Sequence, residues 1–251
     1  MSTAVITGAS SGIGKEMAKI LGRRGYSLIL IARNKKALDE LACTIPTKCK
    51  TLSLDLADTK DLDKLIKYLK KKKVDILINN AGFGDLGDFT ETKLKKELEM
   101  IDVNIRALHV LTKIVLKKMK KRNQGYILNV ASSAGLFPGG PYMATYYATK
   151  AYVTSLTTAI DTELKNSHSK VSISALCPGP VNTNFNNVAN VKFSLNGISA
   201  RYCAEVAIKG MFRKKLIIVP SLYMKVAVLS NRFLPRQVVA KICGDQQTKK
   251  M

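Results

Sequence analysis

Acidic side chains are scarce in this sequence. Eighteen Asp and Glu stand against 41 Lys and Arg, a formal charge of +23, which draws a chain toward polyanions, anionic membrane surfaces or negatively charged substrates. Histidine is nearly missing, with only His109 and His168. They lie far apart, and no Cys/His cluster has ligand spacing, so no metal site is expected. The five cysteines, Cys43, Cys49, Cys177, Cys203 and Cys243, are odd in number, form no C-x-x-C pair and follow no signal peptide. That pattern argues against a disulfide framework and fits a reducing, cytoplasmic setting. No uninterrupted apolar run approaches the ~20 residues that span a bilayer. The nearest, 216–230, is broken by Pro220 and Lys225. Internal repeats and Pro/Ser-rich linkers are also missing, so residues 1–251 are expected to form a single domain. What is abundant is ordinary: 46% hydrophobic and 24% charged residues suffice for a sizeable core and exclude intrinsic disorder.

Short aliphatic and β-branched runs alternate with longer amphipathic, lysine-studded segments. This βαβα order predicts an α/β fold, a doubly wound parallel sheet of about seven strands with helices on both faces. Strands are expected at about Thr3–Thr7, Ser27–Ala32, Thr51–Leu54, Ile76–Asn79, Gly125–Ala131, Val171–Cys177 and Leu216–Val219. Long helices are expected over Thr92–Lys121 and Ala144–Lys165. Residues 182–200, rich in Asn and small side chains, read as a long substrate loop, and 220–243 as an apolar, basic C-terminal segment.

The first predicted strand runs into Gly8, Ser10, Ser11, Gly12, Ile13 and Gly14, followed by helix-forming residues. Glycines at a strand-to-helix turn let the backbone bend tightly, approach a diphosphate and aim helix N–H groups at it. The spacing T-G-x-x-x-G-x-G differs from G-x-G-x-x-G. An acidic residue closing the second strand would bond a ribose 2′-hydroxyl; here Ala32 and Arg33 stand there, with Asn34, Lys35 and Lys36 following. A guanidinium suits a 2′-phosphate, so NADP(H) is expected over NAD(H).

Further motifs follow in order: Asp55 and Leu56 in SLDLAD, Asn80, Ala81 and Gly82 in NNAG, Asn104 in DVN, Ser133 thirteen positions before Tyr146, Lys150 four after it, and PGPVNT at Pro178–Thr183. In these the chain resembles the short-chain dehydrogenase/reductase family over nearly its whole length. The resemblance implies a Rossmann-type fold and an oxidoreductase with catalytic Asn104, Ser133, Tyr146 and Lys150. It implies that Asp55 contacts the adenine, that Lys150 holds the nicotinamide ribose, and that Pro178, Gly179, Val181 and Thr183 hold the carboxamide. Homodimers or homotetramers are expected on the same ground.

At helical spacing i, i+4, Tyr146 and Lys150 share a face. Unit charges ~4 Å apart at an effective dielectric of ~20 interact by about 4 kcal/mol, enough to bring the phenol toward neutrality, with desolvation opposing part of the shift and the bound nicotinamide's charge adding to it. Tyr146 would then donate a proton to a carbonyl oxygen that Ser133 hydrogen-bonds. Phe83, Leu136, Phe137, Pro138, Tyr142, Met143, Phe185 and Phe193 are expected to border the substrate. Their character suits an apolar ketone or aldehyde and the matching alcohol, a hydroxysteroid or, as the alternative, a 3-oxoacyl compound. A non-catalytic nucleotide sensor is the rival from another class. No motif supports nucleic-acid binding, and the charge leaves weak peripheral membrane association as a second partner reading.

Overall fold

The computed structural model describes residues 2–183, 185, 189 and 197–248. In chain order the elements are β1 (Thr3–Thr7), α1 (Gly12–Arg23), β2 (Ser27–Ala32), α2 (Lys35–Cys43), β3 (Cys49–Ser53), α3 (Thr59–Lys70) and β4 (Ile76–Asn79). There follow α4 (Leu94–Ile101), a π-helical turn (Asp102–Ala107), α5 (Leu108–Arg122), β5 (Tyr126–Val130), a 3-10 turn (Ser133–Leu136), α6 (Ala144–Asn166) and β6 (Ser172–Leu176). The chain continues through β7 (Val181–Asn182), β8 (Ile198–Ser199), α7 (Ala200–Phe212), β9 (Ile217–Ile218), α8 (Leu222–Ser230), a 3-10 turn (Asn231–Phe233) and α9 (Arg236–Thr248).

Seven strands form one parallel sheet in the order β3-β2-β1-β4-β5-β6-β9. The strand segments are apolar on both sides because the sheet is covered on both faces. Successive side chains point to opposite faces, which divides the core in two. Ala4, Ile6, Leu28, Leu30 and Ile78 pack with Met17 and Leu21 of α1 and Ile208 and Met211 of α7. Val5, Ile29, Ile31, Leu77 and Ile127 pack with Leu65 and Leu69 of α3 and Leu111 and Val115 of α5. Polar side chains start several helices: Asn34, Asp58, Ser199 and Ser221 each accept a backbone N–H from the first turn, as N-caps do.

Two expected elements differ. The single helix over Thr92–Lys121 is α4 and α5 joined by the π-helical turn; a 3.6-residue pattern does not reveal one inserted residue. The ends of the expected 182–200 loop are pinned to each other, since β7 and β8 form a two-residue parallel ladder. Phe193 lies outside the described residues. The strand order reverses at β1, which has β2 on one side and β4 on the other. That switch point opens a crevice at the carboxyl ends of the strands.

Candidate active site

The loops leaving β1 to β6 line a cleft of about 590 Å³. Gly8, Ser10, Ser11, Gly12 and Ile13 form its floor. Gly8 has φ +64°, and a Cβ there would lie 2.8 Å from Asn80 Nδ2 and 2.9 Å from Ala81 Cα, so both conformation and space demand glycine. Asn80 holds that turn by donating from Nδ2 to the carbonyl oxygens of Thr7 and Gly8, each at 3.0 Å. Thr7 Oγ1 accepts from the N–H groups of Asn80 and Ala81, also at 3.0 Å. Gly14, expected at the cofactor, does not line the cleft. It lies behind the turn, where a Cβ would collide with Gly8 O and Asn80 Nδ2, so its role is to let α1 pack close.

Arg33 after β2 and Asp55 and Leu56 after β3 line one end of the cleft, as expected. The Arg33 side chain is 72% exposed and approaches Asp55 only at 4.0 Å, a separation at which an exposed ion pair holds it weakly. Its guanidinium is available to an anion. Asn80, Ala81 and Gly82 after β4, and Pro178, Gly179, Val181 and Thr183 after β6, form the remaining wall toward the other end. A glycine cradle at a helix N-terminus, a cation at the far end and a wall running between them fit an extended dinucleotide.

At the inner end α6 brings Tyr146 and Lys150 together, both buried. Lys150 Nζ donates to Val130 O at 3.0 Å and sits 5.7 Å from the centroid of the Tyr146 ring. Burial pushes the phenol up to about 12 and the ammonium down to about 8. The near-neutral tyrosine expected from a simple charge pair is therefore not what the chain builds. Desolvation disfavours both charged forms and is the largest influence on each.

The hydroxyl that interacts with the phenol, and opposes its rise, belongs to Ser132. Ser133, expected in that place, begins the 3-10 turn and gives its backbone N–H to Pro178 O at 2.8 Å. Both serines line the cleft. Spacing along the chain points to Ser133, whereas the contact with the phenol is made by its neighbour Ser132.

Asn104 lies in the π-helical turn and is buried. It is not on the cleft wall. Its Nδ2 donates to Phe83 O at 2.9 Å and to Thr149 Oγ1 at 3.1 Å, and its Oδ1 accepts from Phe83 N at 3.1 Å. Gly82 lets it approach the site: a Cβ there would lie 2.8 Å from Asn104 Oδ1 and 3.2 Å from Lys150 Nζ.

The substrate end is apolar. Phe83, Met143, Tyr146, Tyr147 and Phe185 belong to one cluster, with the rings of Phe185 and Tyr146 5.6 Å apart. Phe137 and Tyr142, expected here, are not on the wall. Phe137 closes the 3-10 turn, and Tyr142, at φ +63°, uses its carbonyl to accept Gly87 N–H at 2.9 Å. Tyr147 and Gln247 line the cleft instead, joined by a 2.9 Å hydrogen bond from Gln247 Nε2 to the Tyr147 hydroxyl. Gln247 stands on α9, a hundred residues away, and no local signal in the sequence pointed to it.

The model for the short chain dehydrogenase family matches residues 2–192, and the chain belongs to that family. A very-long-chain 3-oxoacyl-CoA reductase of Pyrenophora tritici-repentis is 40% identical over 172 residues, covering 64% of this chain and 50% of that one; the chain spans about half the length of such relatives. An uncharacterized oxidoreductase of Staphylococcus epidermidis is 36% identical over 183 residues, covering 72% of this chain and 78% of its own. Among solved structures, a short-chain dehydrogenase from Sphingobium yanoikuyae in complex with NADPH superposes with a TM-score of 0.84 at 30% identity, covering 93% of this chain and 94% of that one.

Proposed function

We propose that this chain is an NADP(H)-dependent oxidoreductase that interconverts a ketone and a secondary alcohol on an apolar substrate, with a 3-oxoacyl compound favoured over a steroid. The observation that carries the reading is the buried set of Tyr146, Lys150 and Ser132, which lies where an apolar pocket meets the nucleotide-shaped cleft. The name of the Pyrenophora relative favours the acyl substrate. Arg33 at the end of β2, without a carboxylate in its place, favours the 2′-phosphate.

The nicotinamide cofactor supplies the hydride when bound. Gly8 to Ile13, Arg33, Asp55 and Pro178 to Thr183 would hold it. Tyr146, held protonated by burial, is the acid that gives its proton to the carbonyl oxygen during reduction, and Ser132 hydrogen-bonds that oxygen. The phenolate left behind needs a neighbouring cation, which Lys150 provides while it keeps its own proton. Asn104, fixed by three hydrogen bonds, braces Phe83 against the start of α6. In the oxidative direction each proton moves the other way.

The test is nicotinamide absorbance with 3-oxoacyl, steroid and aromatic ketones, run with NADPH and NADH side by side. Turnover of an acyl ketone with preference for NADPH is expected. Tyr146→Phe should bind NADPH normally and lose about 100-fold or more in turnover. An active Tyr146→Phe variant or a preference for NADH would overturn the corresponding part of the proposal.

A further inference from the structure

The C-terminal helices have two faces that serve different neighbours. On α9, Val239, Cys243 and Gln247 recur at helical spacing and are buried, and Gly244 fits against Pro141, where a Cβ would lie 3.2 Å from the ring. This is the face that reaches Tyr147. Val238 and Ile242, each one residue before a buried position, lie on the adjoining side, both about half exposed.

On α8 the imbalance is larger. Its sequence, LYMKVAVLS, is almost wholly apolar, yet Met224 is the only buried residue. Leu222 is 74% exposed, Tyr223 65%, Val226 58% and Leu229 57%, and Phe233 in the following turn is 81% exposed. Residues 222, 226, 229 and 233 fall on one side at helical spacing. A helix apolar all round is at home in a core or against lipid, and the fold covers only one side of this one.

The charges around this stripe are almost all positive. Between 221 and 248 stand Lys225, Arg232, Arg236 and Lys241, against the single acidic residue Asp245. All four cations are exposed, and among the described residues none of them forms a salt bridge. Lys225 and Arg232, seven apart, border the same stripe as Val226 and Leu229. A second copy meeting this face about a twofold axis would set these cations against their own counterparts. An anionic bilayer offers both complements, an apolar layer for the stripe and negative headgroups for its rim.

We propose that the outer face of α8, the 231–233 turn and α9 is an interfacial membrane-docking surface that lies on anionic lipid, with Leu222, Leu229 and Phe233 entering the acyl boundary and Lys225 and Arg232 on the headgroups. No helix among the described residues is long and apolar enough to cross a membrane, so the chain rests on the surface through this face. The proposal does not depend on the substrate. The same α9 that presents Val238 and Ile242 to lipid holds Gln247 against Tyr147 at the site.

The test is co-sedimentation of the full chain, saturated with NADPH, with vesicles of phosphatidylcholine alone and of phosphatidylcholine containing ~30% phosphatidylserine, at ~0.15 M salt. Wild type should bind the anionic vesicles at least ~10-fold more tightly than the neutral ones. The triple variant Leu222→Ser, Leu229→Ser, Phe233→Ser and the pair Lys225→Ser, Arg232→Ser should each lose ~10-fold or more. Circular dichroism and NADPH binding check that each variant folds, and Phe233→Ser alone, at the most exposed position, carries the test if the triple variant does not. The proposal is overturned if wild type ignores anionic vesicles, or if the folded apolar variants bind them as well as wild type, which would assign binding to the general charge. It is also overturned if sedimentation velocity shows a wild-type dimer that the apolar variants abolish.

Discussion

At the scale of single residues, burial governs the chemistry. Tyr146 is held neutral and Lys150 is brought to the edge of losing its proton, both through removal from water. If reduction needs the ammonium beside the developing phenolate, kcat/KM for the ketone should fall as pH rises through about 8. A pH profile of Lys150→Arg, whose guanidinium stays charged, should lack that falling limb in whatever activity remains. The same shift acts on stability with a definite sign. The folded pKa lies near 8 against an ordinary 10.5, so between these values the unfolded chain binds the proton that the folded one has released. Stability contributed by this group is therefore least below pH 8 and rises toward 10.5. The adjacent serines provide a second comparison at this scale. Ser132→Ala should lower kcat by about 100-fold, as loss of a donor to a developing oxyanion does, while Ser133→Ala should stay close to wild type; equal losses in steady-state assays would contradict the assignment drawn from the phenol contact.

At the scale of elements, the site is held by polar groups inside the packed layers. Asn79 on β4 donates from Nδ2 to Asn129 Oδ1 on β5 and to Thr112 Oγ1 on α5, both at 2.9 Å. Asn129 Nδ2 in turn donates to Thr157 Oγ1 on α6 at 3.0 Å. All four residues are buried, so this ladder ties the two central strands to α5, which follows the turn holding Asn104, and to α6, which carries Tyr146. Asn129→Ala would remove an acceptor from the Asn79 amide in a dry interior, at a cost of about 2 kcal/mol, read as a lower midpoint in urea unfolding with an unchanged m value. The strands holding Asn79 and Asn129 are legible in the sequence, but the ladder is not, because it joins side chains 33 and 50 residues apart. Asn79 faces inward to the ladder, while its neighbour Asn80 braces the Gly8 turn and lines the cleft.

For the whole molecule, the charge of +23 is a long-range field around a site that suits a polyanionic cofactor. NADPH should associate faster at low ionic strength, and its KM should rise about several-fold between ~0.05 and ~0.5 M salt as the Debye length shrinks. Stopped-flow association rates measured across that range check this. A salt-independent rate would mean that only the local contact at Arg33 matters. The C-terminal helices add a wall to the substrate end, since Gln247 meets Tyr147 there, so the last described turn of the chain belongs to the same site as the first glycine turn.

The sequence by itself determined the sheet and, for three of its seven strands, their ends, the other four lying within one or two residues of expectation. Residues in β1, β2 and β4 declare themselves by local apolar runs, and their expected bounds, Thr3–Thr7, Ser27–Ala32 and Ile76–Asn79, are the observed ones. It also determined the glycine turn, the cation at Arg33 and the pairing of Tyr146 with Lys150, because each depends on neighbours along the chain or on one helical turn. Tertiary structure alone decided which serine faces the phenol, that Gly14 packs behind the turn, that Phe137 and Tyr142 turn away from the cleft, and that Gln247 enters it. These depend on contacts between segments whose separation in sequence carries no periodic signal. It also decided how far desolvation moves Tyr146 and Lys150, since the cost of taking them out of water depends on everything packed around them.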